Sequence, residues 1–184
     1  MQLVDYFKII QKYFPVDSIA YSIYVPHVVL VTAKALEIAR RLGLSEEQMR
    51  FIEEAGMLHD VGICRVNNPK LSCFGELPYI CHIVEGKKIL EAEGLLKHAR
   101  VAESHTGVGI FKSDILVNKF LIPLKDYIPE TLEEKIISWA DIFFKKTPPK
   151  LWREQTMEEA REEIGQYGED RLRIFDEWRD LFGE

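Results

Sequence analysis

His59 and Asp60 stand side by side in Gly56-Met57-Leu58-His59-Asp60-Val61-Gly62-Ile63, at the end of a helix-like stretch. His27 lies upstream; His82, His105 and Asp141 lie downstream. Four imidazoles and two carboxylates are a donor set for one or two divalent transition metals. A metal held this way makes hydroxide from water near neutral pH and polarises phosphoryl oxygens. That chemistry is hydrolysis, and a phosphate ester is the expected substrate. Asp60 is the candidate catalytic carboxylate: its two oxygens can bridge two metals, which an imidazole cannot do in the same way.

Neighbouring residues extend the pocket. Adjacent helical residues point about 100° apart, so His59 and Asp60 reach one centre only near a helix end, where free carbonyls and the negative pole also favour a cation. Gly86 follows His82 by one helical turn, and a missing side chain there leaves room for metal or substrate. Thr106-Gly107-Val108-Gly109 follows His105 with exposed amides for an anion. His98 precedes His105 by two helical turns, about 10 Å, too far to share its metal. It is a candidate substrate contact, with a hydrogen-bonded structural histidine as the plain alternative. Lys145, one turn after Asp141, is the second candidate substrate contact; Lys87 and Lys88 are weaker ones. Glu85 and Glu103 could orient imidazoles, and Phe74 and Tyr79 could wall the pocket.

The elements that must position these residues read as helices. Pro26 suits the first turn of a helix over Val28–Leu42, and Gly43 its C-terminal stop. Ser45-Glu46-Glu47-Gln48 is a capping box for a helix running to about Asp60, which Gly62 would stop. A long loop through Asn67-Asn68-Pro69 and Gly75-Glu76-Leu77-Pro78 precedes a helix from Tyr79 to Gly94. A shorter helix ends before Gly107, and Thr131-Leu132-Glu133-Glu134 opens another to about Lys146. After Thr147-Pro148-Pro149 comes an amphipathic helix over about 152–183, interrupted near Gly165–Gly168, with Leu172, Phe175, Trp178 and Phe182 as its buried face. The expectation is an all-α bundle, one domain over 1–184, with the last helix packed on a motif core of 20–147.

Composition narrows the function classes. A hydrophobic content of 47% supports a sizeable core. The net charge of −6 argues against coating a nucleic acid but not against a nucleotide substrate, because a metal supplies local positive charge. No run of 18 apolar residues and no signal-peptide pattern occur. Cys64, Cys73 and Cys81 form no CxxC pair and read as reduced thiols, so a cytoplasmic location is expected.

The order His27, His59-Asp60, His82, His105, Asp141 resembles the HD superfamily of metal-dependent phosphohydrolases, in its HDIG-type subset. The resemblance covers roughly residues 20 to 147. Tyr79–His82, Ala102–Gly107 and Pro129–Ile136 are further similar to small bacterial and archaeal HDIG proteins described only as predicted hydrolases. It implies an HD-domain helical bundle with a central metal site. One metal would use His27, His59, Asp60 and Asp141, and a second Asp60, His82 and His105. The cofactor would be one or two divalent ions among Mn, Fe, Zn, Ni, Co and Mg. The implied activity is hydrolysis of a phosphomonoester, phosphodiester or nucleotide by a metal-bound hydroxide. A di-iron HD-type oxygenase and a non-catalytic metal- or ligand-binding module are the alternatives. Ile63 replaces the Lys many relatives carry after the motif glycine, Ile142 replaces a Lys after the last Asp, and the Gly-Tyr-Pro signature of cyclic-dinucleotide phosphodiesterases is missing.

Overall fold

The computed structural model describes residues 3–183. Asp5 caps α1 (Tyr6–Tyr13), and Ser18 caps α2 (Ile19–Arg41) by accepting from the Tyr21 amide. The helix bearing His27 therefore starts earlier than expected and runs through Pro26. Proline removes one backbone hydrogen bond, but residues on both sides of it are buried and hold the helix: Ile23 and Tyr24 before it, His27, Val28 and Val31 after it. Gly43 takes φ +70 just past the helix, and the Leu44 amide bonds back to the Ala39 carbonyl. This is the left-handed stop expected of glycine.

The Ser45–Gln48 capping box forms in both directions and opens α3 (Glu46–Leu58). This helix ends at Leu58, and the chain tightens into a 3-10 turn over Val61–Arg65. Gly62 lies inside that turn and does not stop the helix. The long loop contains a short antiparallel pair, β1 (Asn67–Asn68) and β2 (Cys73–Phe74). Next come α4 (His82–Ala92) and α5 (Leu96–Ser104), separated by Gly94 at φ +78. A short helix, α6 (Lys112–Asn118), follows, which no sequence pattern anticipates. Thr131 caps α7 (Leu132–Ile142), but the expected capping box does not close, because the Glu134 carboxylate accepts from the Glu130 amide instead; the helix also stops short of the expected Lys146. The terminal helix is broken as expected, into α8 (Met157–Gly165) and α9 (Glu169–Phe182).

The buried residues form two clusters. Ile10, Phe14, Tyr24, Leu58, Ile83 and Leu90 lie in one. Val31, Ile52, Val101, Ile137, Trp139 and Phe175 lie in the other. The helices α2, α3 and α5 contribute to both. Phe175, Trp178 and Phe182 of α9 are buried as expected, and Trp139 of α7 packs on Phe175 with ring centroids 4.8 Å apart. Each such side chain contributes roughly 1.5–3 kcal/mol by leaving water. Leu172 is only half-buried, and Arg171 takes the inward position instead. Among the described residues, α2 is long and apolar enough to cross a membrane by length and composition. Here its buried side chains serve both core clusters, as an internal helix of the bundle.

Candidate metal centre

Five helix-associated positions converge on one point. His27 sits midway along α2, His59 is the C-cap of α3 with Asp60 after it, His82 begins α4, His105 is the C-cap of α5, and Asp141 lies in the last turn of α7. Five of the six side chains thus come from helix ends, and His27 reaches the same point from within α2. The four histidines and Asp60 are almost wholly buried.

The two oxygens of Asp60 face different imidazoles. Oδ2 lies 3.4 Å from His27 Nε2 and 3.7 Å from His59 Nε2. Oδ1 lies 3.3 Å from His105 Nε2 and 3.6 Å from His82 Nε2. Asp141 Oδ1 completes the first side, 3.0 Å from His27 Nε2 and 3.5 Å from His59 Nε2. His27, His59 and Asp141 form one group of mutually close ligand atoms, and His59, Asp60 and His105 form another.

Backbone carbonyls set the ring orientations. Nδ1 of His59 donates to Gly56 O at 2.6 Å, that of His82 to Tyr79 O at 2.7 Å, and that of His105 to Ala102 O at 3.0 Å. A carbonyl only accepts, so each Nδ1 carries the proton and each Nε2 presents a lone pair to the centre. Burial lowers the pKa of His27 and His59 to about 4 and of His82 to about 3, and it lowers His105 as well. At neutral pH these rings are uncharged ligands. Burial alone would push the Asp141 carboxyl up, but His27 and His59 outweigh it and hold the group well below the ordinary carboxylate range.

This arrangement fits a divalent ion. His27 Nε2, His59 Nε2, both Asp60 oxygens and Asp141 Oδ1 are buried and make no hydrogen bond of proper geometry. Such atoms are costly out of water unless cations sit among them, and the Lys146 ammonium is placed against the two carboxylates.

Lys146 was missed by the sequence reading. Its Nζ lies 2.9 Å from Asp60 Oδ2 and 3.5 Å from Asp141 Oδ1. Burial draws its pKa down to about 7, while nearby carboxylates favour the charged form. A helix continued to Lys146 would put Lys145 on the face of Asp141. The helix ends at Ile142, so Lys145 turns to Glu163 instead, with Nζ 2.5 Å from its carboxylate.

A cavity of about 490 Å³ opens onto the centre from one side. Asp141 and Lys146 lie in its wall, with Thr106 and Tyr79 beside them and Ile164 and Arg171 contributed by α8 and α9. Asp141 is the carboxylate with access to it, its side chain 11% exposed against none for Asp60.

His98 does not join the cluster. Its Nε2 pairs with Glu54 Oε2 at 3.1 Å, its ring meets Phe51, and it lines a different cavity. The two turns separating it from His105 carry it toward α3. Gly86 faces the backbone of Gly62 and Ala102 Cβ, so it opens no space for a ligand. Glu103 binds Lys87 and Lys125, and Glu85 binds Lys88, so these acids orient no imidazole. Tyr79 stacks on the His82 ring, whereas Phe74 is 76% exposed.

The His98–Glu54 pair has a pH consequence. Burial lowers the His98 pKa, with Glu54 pulling the other way. As pH falls below the ordinary 6.5 the unfolded chain takes the proton first, so this contribution is whole above that value and is lost on acidification. Between about pH 7.5 and about pH 5, the urea midpoint of the wild type is expected to drop more than that of His98→Gln, whose amide still donates to Glu54. Equal slopes would remove His98 from the acid response.

The model of the HD domain family matches residues 24–144. A tRNA (cytidine(56)-2′-O)-methyltransferase of Picrophilus torridus is 36% identical over 93 residues, 50% of this chain and 24% of that protein. An uncharacterised protein of Methanocaldococcus jannaschii is 35% identical over 120 residues, 64% of this chain and 63% of its own. The corresponding methyltransferase of Thermoplasma volcanium is 30% identical, with 64% of this chain and 30% of that protein covered. The chain therefore spans less than two thirds of each relative's length, at 24%, 63% and 30%. Among solved structures, the HD domain of the L. monocytogenes phosphodiesterase PgpH superposes with a TM-score of 0.54 at 16% identity, covering 97% of this chain and 95% of that one. Its complex with cyclic-di-AMP matches with the same TM-score of 0.54, covering 97% and 94% of the two chains. At that identity the likeness is one of fold.

Proposed function

Since this chain belongs to the HD domain family, we propose that it is a metal-dependent phosphohydrolase acting on a phosphomonoester, phosphodiester or nucleotide. The observation that carries this reading is the convergence of four buried imidazoles and two carboxylates from five segments, with buried Nε2 and oxygen atoms of His27, His59, Asp60 and Asp141 that lack a well-formed hydrogen bond. A bound divalent ion supplies Lewis acidity toward a phosphoryl oxygen and lowers the pKa of water.

The chain's own residues supply orientation and access. His59, His82 and His105 are locked in one tautomer by backbone carbonyls. Asp60 spans the two imidazole pairs, which suits it to hold one or two ions and to take a proton. Burial of the centre excludes bulk water on every side but that of the cavity, so substrate enters past Asp141 and Lys146. Apolar walls from Ile110, Phe120 and Ile164 suit the organic portion of an ester or a nucleobase. The solved HD domain that holds cyclic-di-AMP makes nucleotides the first class to assay.

The test is anaerobic. Metal-free protein is reloaded with manganese and offered phosphate esters and nucleotides, and phosphate or alcohol release is followed. Turnover is expected without dioxygen, because hydrolysis needs no redox change. Activity confined to iron with dioxygen would overturn the hydrolase reading and favour the oxygenase.

A further inference from the structure

The cavity wall carries three cations, and two are already matched. Lys145 is paired with Glu163, and Arg171 is paired with Asp114 and Asp170 while stacking on Phe111. Lys146 differs, because its acidic partners among the described residues are Asp60 and Asp141, the carboxylates that a metal needs. Its side chain is only 14% exposed and lines the cavity. A divalent ion on Asp60 and Asp141 neutralises both and leaves the Lys146 ammonium unmatched at the cavity wall. Like charge repels it from the ion, and the cavity is its other route. A phosphoryl group arriving beside Asp141 brings the anionic oxygens that a compact ammonium binds well.

We propose that Lys146 is a phosphate-binding residue: without metal its ammonium rests on Asp60 and Asp141, and a bound divalent ion releases it to the phosphoryl group of the substrate. The proposal rests on the phosphohydrolase reading above. It makes Lys146 both an internal competitor of the metal and a contact of the substrate, two roles that predict opposite effects of one substitution.

The experiment compares the full chain with Lys146→Met and Lys146→Arg. Manganese binding to metal-free protein and inorganic phosphate binding to manganese-loaded protein are measured by calorimetry. Lys146→Met is expected to bind manganese about tenfold more tightly, because a competing charge is gone. It is expected to bind phosphate roughly tenfold to a hundredfold more weakly, because a charge-assisted hydrogen bond is gone. Lys146→Arg keeps the charge and is expected to stay near the wild type in manganese affinity and to retain most phosphate binding. On any phosphoester the wild type hydrolyses, Lys146→Met is expected to raise KM by more than it lowers kcat. Should methionine prevent folding, Lys146→Gln is the neutral variant read the same way. Unchanged or weakened manganese binding together with unchanged phosphate binding would overturn the proposal. A wild type that hydrolyses no phosphoester would instead count against the hydrolase reading, and the two binding measurements would still decide Lys146.

Discussion

Asp60→Asn is expected to bring phosphoester turnover below detection and to weaken metal binding by at least about a hundredfold, the upper range seen for the loss of mere supporting contacts to a ligand. The substitution keeps volume and one oxygen. It removes the charge and one of the two acceptors, and those acceptors face different imidazole pairs: Oδ2 toward His27 and His59, Oδ1 toward His82 and His105. Whichever side keeps the oxygen, the other faces an amide NH2. That NH2 can donate to an Nε2 lone pair, so the metal-free variant gains a hydrogen bond where the wild type has unpartnered atoms. The helical circular dichroism spectrum is therefore expected to persist while metal content falls. His59→Ala removes a ligand from the same side and is expected to lose metal and activity together. Metal analysis after purification without chelators, with turnover measured on the same samples, checks both. Full metal content and undiminished turnover in both variants would refute the central role of this pair.

The donor set was legible because its chemistry lies in residue types that have few other reasons to coincide. His27, His59, Asp60, His82, His105 and Asp141 are brought to one centre, and several caps and stop glycines of the helices were legible as well, though Gly62 stops no helix and the Thr131–Glu134 box does not close. Ser45 with Gln48, Thr131, Gly43 and Gly94 are local devices, complete within a few residues. What local patterns cannot hold is an ending imposed from elsewhere. Helix α7 stops at Ile142 because the chain beyond it pairs with a later segment: the Gln155 amide bonds to the Phe143 carbonyl, and Phe144 bridges Glu154. Continuing the helix by its pattern selects Lys145, one turn after Asp141. Ending it early selects Lys146. The missed residue is therefore a consequence of a boundary set by tertiary contact, which propensity does not encode.

The same distinction explains Pro26 and His98. A proline near a helix start is a sound local signal, yet residues buried before and after it carried α2 through it. A histidine two turns from a ligand is on the same face of its helix, yet the neighbour on that face changes along the axis. His105 meets the centre, and His98 meets Glu54 and Phe51 of α3. Residue type finds the centre; only packing tells which of the adjacent residues share it.

Gly62→Ala is expected to destabilise the protein by about 3 kcal/mol or more, the upper part of the range for overpacking. In a chain of this size that is a fall in Tm of roughly 6–12 °C. The added Cβ would stand 2.0 Å from the His82 carbonyl oxygen and 2.4 Å from the Gly86 amide nitrogen. Both are backbone atoms, so no side chain can rotate away. Relief requires α4 to move off the turn at Val61–Arg65, and His82 begins that helix. Glycine is thus needed here for close approach rather than for a left-handed φ, since Gly62 is not among the positive-φ glycines. Alanine restricts the unfolded chain, which would favour the variant by roughly 0.4–1 kcal/mol, and the clash is the larger effect. Gly86→Ala serves as the matched control from the other side of the contact. Its Cβ would meet Ala102 Cβ at 3.3 Å and Gly62 N at 3.4 Å, contacts that a few tenths of an ångström relieve. Helix propensity favours alanine there by about 1 kcal/mol, so this variant is expected to melt close to the wild type. Thermal melts and metal content of the two variants decide the matter. A Gly62→Ala protein that melts with the wild type and keeps its full metal content would show that α4 does not rest on this glycine.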